Sequence, residues 1–210
     1  MIKSKKDLRF YLAADKYSLG ITYSSPKVQD VVWKYQIYLR KSEYYRNINT
    51  PLVNKVLSVF YKYKKHKTGL LLGFDIADNV FGAGLRINHY GNIVVSPKAK
   101  VGMWCDIHQG VNIGTSNNIE RKSNVPIIAD NVWIGPGVKL YGDILIDNSI
   151  VIGANAVVNK SFPKNVTIAG VPAKILKSEG TESINVAASP SRSINFFKLY
   201  PQFSEYSGKM

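Results

Sequence analysis

A period of six constrains this chain more than any other feature. From Ile128 onward the sequence divides into IADNVW, IGPGVK, LYGDIL, IDNSIV, IGANAV and VNKSFP. The first position is always aliphatic: Ile128, Ile134, Leu140, Ile146, Ile152 and Val158. The fifth (Val132, Val138, Ile144, Ile150, Ala156, Phe162) is mostly small or aliphatic. The same frame runs upstream through Val95, Val101, Ile107 and Ile113. Apolar residues recur near 3.6 in a helix and about every 2 in a free strand. A period of six instead predicts a parallel β-helix, in which short strands coil and stack so that aliphatic ladders fill the interior. The expected fold is therefore mainly β.

The frame breaks once. Ile113 to Ile128 is fifteen residues, not a multiple of six, and the excess lies in the polar run TSNNIERKSNVP. This predicts an extruded loop at about 115–126, and loops leaving a rigid scaffold are common places for function.

The flanks have a different texture. Residues 1–70 are rich in Lys, Arg and Tyr and are expected to form a small N-terminal α-helical region. In VQDVVWKYQIYLRKSEYYRN, the residues Val28, Val31, Val32, Tyr35, Ile37, Tyr38 and Leu39 approximate an amphipathic helix. A second helix opens at Pro51 with Thr50 as its N-cap and is expected to end at Gly69. The cluster Lys62, Lys64, Lys65 and Lys67 suits either a solvated helix C-terminus or a docking surface for anions. The solenoid is expected over 71–177. Residues 178–210 read as a linker and a short C-terminal extension, whose aromatics in INFFKLYPQFSEYSGKM suit a helix covering the solenoid end or a neighbouring subunit.

Charge narrows the partners less than the repeat narrows the fold. There are 28 Lys+Arg against 14 Asp+Glu, a net +14, which favours something anionic without choosing among glycans, lipids and phosphates. Nucleic acid is not the expected partner, because no reader motif accompanies the charge. A single cysteine, Cys105, excludes an internal disulfide framework and fits a reducing compartment. No apolar run approaches the ~18 residues of a membrane span. The expectation is a cytoplasmic protein, with peripheral association at a membrane surface left open. Zinc needs three or four ligands. The three histidines, His66, His89 and His108, and Cys105 are too dispersed to suggest a site, so no metal is expected.

The hexads, the extruded loop and the segments GFDI, GAGLRINHYGNIVV, CDIHQGVNIGT, NVWIGPGVKLYGDI, SIVIGANAVV and AGVPAKIL together resemble the hexapeptide-repeat acyltransferases. Within them the chain is most similar to the serine acetyltransferase branch, which includes O-acetyltransferases of surface polysaccharides. The resemblance covers roughly residues 70–177. It implies a left-handed parallel β-helix, a homotrimer, and acetyl-CoA as acetyl donor. It also implies that His89 is the general base, oriented by Asp75 or, as the alternative, Asp78. Counted back by sixes from Val95, His89 falls on a first position, where its imidazole would break the aliphatic ladder. His108, nineteen residues further on, is then expected one coil above His89, helping to bind the acceptor. The cofactor contacts implied are Gly114, Thr115, Pro136 and Ala154 along the pantetheine arm, with Lys174 and Lys160 at the phosphates.

Three departures bear on the acceptor. Asn88 stands where the serine enzymes carry an aspartate, the loop lacks their Asp-Arg-His run (Arg121 or Lys122 would substitute), and the helical region is about half as long. Together with the positive charge, these favour transfer to a hydroxyl of a surface polysaccharide, a capsule or O-antigen-type saccharide that could be acidic. The alternatives are serine O-acetyltransferase, nucleotide-sugar N-acetyltransferase, and a catalytically dead hexapeptide-repeat binding protein.

Overall fold

The computed structural model describes residues 1–48, 52–116, 125–184 and 186–209. The hexads build a solenoid of three sheets. The first stacks β1 (Phe74–Ile76), β3 (Ile93–Val95), β6 (Asn112–Gly114), β9 (Lys139–Tyr141) and β12 (Val157–Val158). The second stacks β4 (Lys100–Val101), β7 (Ile127–Ile128) and β10 (Leu145–Ile146). The third stacks β2 (Arg86–Ile87), β5 (Asp106–Ile107), β8 (Trp133–Ile134), β11 (Val151–Ile152), β13 (Thr167–Gly170) and β14 (Ala173–Lys177). All pairs are parallel except β13–β14, which folds back antiparallel on the last coil. Every first-position and fifth-position residue of the hexads is buried. Two- and three-residue strands explain why neither a helical nor a strand period is visible.

The register locates the irregular coils. Trp133 pairs with Val151, 18 positions on, whereas Val101 pairs with Ile128 and Ile113 with Leu140, each 27 positions on. The predicted loop thus lengthens a single coil, and its central residues 117–124 lie outside the described ones. The first coil is also longer than eighteen: Ile76 pairs with Val95 at 19 and Ile87 with Ile107 at 20. Ile87, fully buried, therefore holds the ladder position that counting by sixes gave to His89. The extra residues form the corner between β2 and β3, and His89 stands exposed on it. It does not break the ladder.

Among the described residues, three helices precede the solenoid: α1 (Lys5–Ser18), α2 (Val31–Asn47) and α3 (Leu52–Leu72). The first has no counterpart in the sequence reading. Its start is fixed by a capping box, with the Ser4 hydroxyl accepting from the Asp7 N–H and the Asp7 carboxylate accepting from the Ser4 N–H. The second begins at Val31, so Val28 precedes it and is exposed. Its inward face carries Trp33, Tyr35 and Leu39, and also Gln36, Arg40 and Glu43. Arg40 is fully buried: Nε donates to Asp15 Oδ2 at 2.7 Å, Nη1 to Glu43 Oε2 at 3.1 Å, and further bonds reach the carbonyls of Phe81 and Gly82. Asp15 in turn accepts from the N–H groups of Gly84 and Leu85. This network fastens α1 and α2 to the first coil.

Thr50 and Pro51, the predicted start of α3, lie outside the described residues. The predicted stop is corrected. Gly69 is buried within α3, where an added Cβ would sit 2.7 Å from the Phe74 carbonyl oxygen, so it serves close packing. The helix ends at Gly73, whose φ of +74° is the left-handed conformation that glycine adopts at no steric cost. Of the lysine cluster, Lys65 reaches back to Asp78, while Lys62 and Lys67 are exposed. Among the described residues no helix is long and apolar enough to cross a membrane.

After β14, α4 (Pro190–Leu199) and a 3₁₀ helix (Pro201–Lys209) return to α1. Phe10, Ala14, Phe196, Phe203 and Tyr206 pack with Ala83 and Trp104 in a second core. Phe10 stacks on Tyr206 at 4.1 Å, and the Tyr206 hydroxyl donates to Asp7 Oδ1 at 2.7 Å. The extension therefore docks on its own chain's α1 and early coils, not on the end of the solenoid.

Candidate active site

The corner between β2 and β3 carries the site. Asn88 continues the ladder of β2 by donating its backbone N–H to the Ile107 carbonyl. The chain then leaves the sheet, exposing His89 and Tyr90, and is pinned again where the Gly91 N–H donates to the Leu72 carbonyl. Asn88, His89 and Tyr90 form one side of a recess of about 270 Å³. Across from them stand Leu19, Asp30 and Trp33, from the connection between α1 and α2 and from the start of α2. The short helical region therefore still walls the site.

Beneath this corner lies a line of polar groups. Asn88 Nδ2 is 3.2 Å from His108 Nδ1. The His108 ring packs on Trp133, with centroids 4.8 Å apart, and lies 6.2 Å from the His89 ring. His108 Nε2 is 3.7 Å from Asp106 Oδ1, and Arg86 Nη1 donates to the other carboxylate oxygen at 2.9 Å. Burial pushes the Asp106 carboxyl up, opposed by Arg86 and His108. Burial likewise pulls the His108 imidazole below its usual 6.5, opposed by Asp106. Asp106 Oδ1 and His108 Nε2 are both buried without a hydrogen-bond partner among the described residues.

The structure thus brings Asn88, His89 and His108 together. His108 stands one layer above Asn88, since Ile87 registers with Ile107, and not directly above His89. Asp75 is the outward, exposed residue of β1, and no hydrogen bond joins it to His89 among the described residues. Asp78 is occupied elsewhere: it binds Lys65, accepts from the Ser42 hydroxyl at 3.0 Å, and lies 3.5 Å from Arg46. Arg121 and Lys122 lie outside the described residues. The six expected cofactor residues divide between two edges. Gly114, Thr115 and Lys160 follow the ladder positions of β6 and β12 in the first sheet, whereas Pro136 and Ala154 follow β8 and β11 in the third. Lys174, exposed on β14, is paired with Ala169 of β13 on that same third sheet. Among the described residues no three His, Cys, Asp or Glu side chains cluster as metal ligands.

Two parts of the site were missed in the sequence. Asp106, an acid beside the aliphatic Ile107 in a hexad solenoid, was a usable signal for the Arg86–Asp106 pair. The wall of Leu19, Asp30 and Trp33 carries no such signal, because it depends on how the helices dock.

No protein-family model matches the chain. Among solved structures, the serine acetyltransferase of Brucella abortus strain S19 in complex with coenzyme A superposes with a TM-score of 0.61 at 29% identity, covering 83% of this chain and 68% of that one. A serine O-acetyltransferase structure from Brucella melitensis, described as a bacterial transferase hexapeptide repeat, gives 0.59 at 28% identity, covering 82% and 69%. The fold and these structural relatives together define a hexapeptide-repeat acyltransferase with a left-handed parallel β-helix. The curated serine acetyltransferase of Staphylococcus xylosus is 32% identical over 145 residues, 65% of this chain and 67% of the relative. That of Synechococcus elongatus is 33% identical over 130 residues, 61% of this chain. The chain belongs to the serine acetyltransferase family. It spans about half the length of the Synechococcus relative, 53%.

These relatives overturn the polysaccharide acceptor expected from the sequence: the matches are to serine acetyltransferases, and the saccharide-biosynthetic role finds no support among them. The physical reasons for that expectation also weaken. Asn88 keeps a polar acceptor group at the recess, and the shortened helical region still closes over it.

Proposed function

We propose that this chain is an acetyl-CoA-dependent O-acetyltransferase that acylates the hydroxyl of L-serine and works as a homotrimer. The observation that carries this is His89, an exposed imidazole on a recess of amino-acid size, in a chain of this family. An alcohol is too weak an acid to attack a thioester unaided near neutral pH. His89 accepts the hydroxyl proton as the oxygen attacks the thioester carbonyl, a contribution of about 10²–10⁴-fold. The proton then passes to the departing thiolate, so the products are the O-acetyl ester and free CoA thiol. Asp75 is assigned to orient the imidazolium. In its support, the carbonyls of Leu72 and Gly73, just before it in the chain, hold the corner through the N–H groups of Gly91 and Ile93.

Asn88 is assigned to the acceptor's amino group, with Arg121 on the loop as a further contact. The donor's pantetheine arm is assigned to Gly114, Thr115, Pro136 and Ala154, and its phosphates to Lys160 and Lys174. Thr115, Ala154, Lys160 and Lys174 are exposed, as such contacts require. Because these residues lie on two different edges of one solenoid, a single donor molecule meets both sets only in the groove between two subunits, which favours the trimer.

The test is release of free thiol from acetyl-CoA with L-serine against a panel of saccharides. Serine-dependent release that scales with enzyme is expected. Turnover with a saccharide and none with serine would overturn the assignment.

A further inference from the structure

The polar line beneath the recess does more than support it. A neutral imidazole has one ring proton and one lone pair, and the partner of one nitrogen decides the role of the other. His108 Nε2 faces the Asp106 carboxylate at 3.7 Å, and that carboxylate is held in place by Arg86. The favourable place for the proton is therefore Nε2, which leaves the lone pair on Nδ1. Asn88 must then present its NH₂ to Nδ1, at 3.2 Å, and turn its carbonyl oxygen the other way. Asn88 lines the recess, and its Oδ1 has no partner among the described residues.

We propose that His108 is a positioning residue: through its Nε2–H tautomer it locks the Asn88 amide so that the carbonyl oxygen faces the recess and accepts a hydrogen bond from the acceptor's ammonium group. This rests on the serine reading above. It explains how an amide serves an amino-bearing alcohol without a carboxylate. A freely rotating amide would present its NH₂ to the ammonium as readily as its oxygen, and the lock removes that alternative.

The arrangement is sensitive to acid. Protonated His108 carries N–H on both nitrogens, so Asn88 must flip its oxygen toward Nδ1 and present NH₂ to the recess. The groups that decide this titration are Asp106 of β5, two residues before it, Arg86 from β2, His89 from the corner, and Arg192 of α4, which faces Asp106; Trp133 adds burial without charge. Burial dominates, so His108 stays neutral down to a pH below 6.5.

The experiment compares L-serine with 3-hydroxypropanoate, which lacks the amino group. Any loss of turnover common to both acceptors cancels in their ratio. The KM for serine relative to 3-hydroxypropanoate is expected to rise as pH falls below 6.5, through the depressed pKa of His108. His108→Phe, which keeps the packing on Trp133, is expected to raise the serine KM about fivefold, the loss of one modest hydrogen bond, with the effect on KM and not on kcat. His108→Asn places an amide oxygen where Nδ1 was, so it should hold the serine KM near that of the unaltered protein and abolish its acid rise. Nitrogen-15 NMR of the free protein should find His108 protonated on Nε2 alone at pH 7.5. Serine turnover with a KM indifferent to His108→Phe, or a proton on Nδ1, overturns the positioning role and leaves the proposed function standing. A protein that does not use serine at all overturns both.

Discussion

At the scale of the residue, the buried charges hold the fold together. Arg40 has no exposed surface, and its guanidinium neutralises Asp15 and Glu43 while donating to two backbone carbonyls. Arg40→Ala is expected to destabilise the fold by about 3–5 kcal/mol, because it strands two buried carboxylates; urea unfolding followed by circular dichroism measures it. Asp78 is likewise structural, tied to Lys65 and Ser42. Asp78→Asn should lower the melting temperature and leave kcat within about twofold, whereas Asp75→Asn should lower kcat with the melting temperature nearly unchanged, since Asp75 is exposed. His89→Ala should cost on the order of 10²–10⁴ in kcat with the fold intact. His89 was legible as a candidate, because a histidine before IVV stands out and the surrounding segment resembles the family's. Arg40 was not: within a stretch dense in Lys and Arg, nothing local separates a buried guanidinium from a solvated one.

At the scale of the element, the ladders were legible and the spacing of the first coil was not. A six-residue period survives in sequence because every coil repeats the same inward positions, and all of those named are buried. The longer first coil, with Ile87 opposite Ile107, leaves no mark, since extra residues at a corner obey no pattern. That is why counting by sixes put His89 in the core. The same limit misplaced the end of α3. Gly69 and Gly73 look alike in sequence, but a Cβ at Gly69 would meet the Phe74 carbonyl oxygen at 2.7 Å, while Gly73 has φ +74°. Gly69→Ala should therefore lower stability by about 1–3 kcal/mol through overpacking. Gly208→Ala, where an added Cβ meets nothing within 4 Å, is the matched control, and thermal melts of the two variants decide the point.

At the scale of the whole molecule, the solenoid is not left as an open stack. Phe196, fully buried, sits between Phe10, Tyr17 and Trp104, so that residues far apart in the chain share one core. Phe196→Ala should cost about 3–5 kcal/mol and release α4 and the 3₁₀ helix to limited proteolysis before the coils yield. The trimeric assembly proposed above predicts a sedimenting mass near three times 23.4 kDa. Arg192 adds one more tie, donating to the carbonyls of Tyr17 and Ser18 at the end of α1, just before the Leu19 that walls the recess. This bears on how the molecule comes into being on the ribosome. A stack of coils can zip up from either end with only neighbours in contact. Here one wall of the recess leans on a clasp that closes only after residues 190–206 have been synthesised. The histidine, the asparagine and the ladders beneath them are made well before the wall of the recess they face is secured.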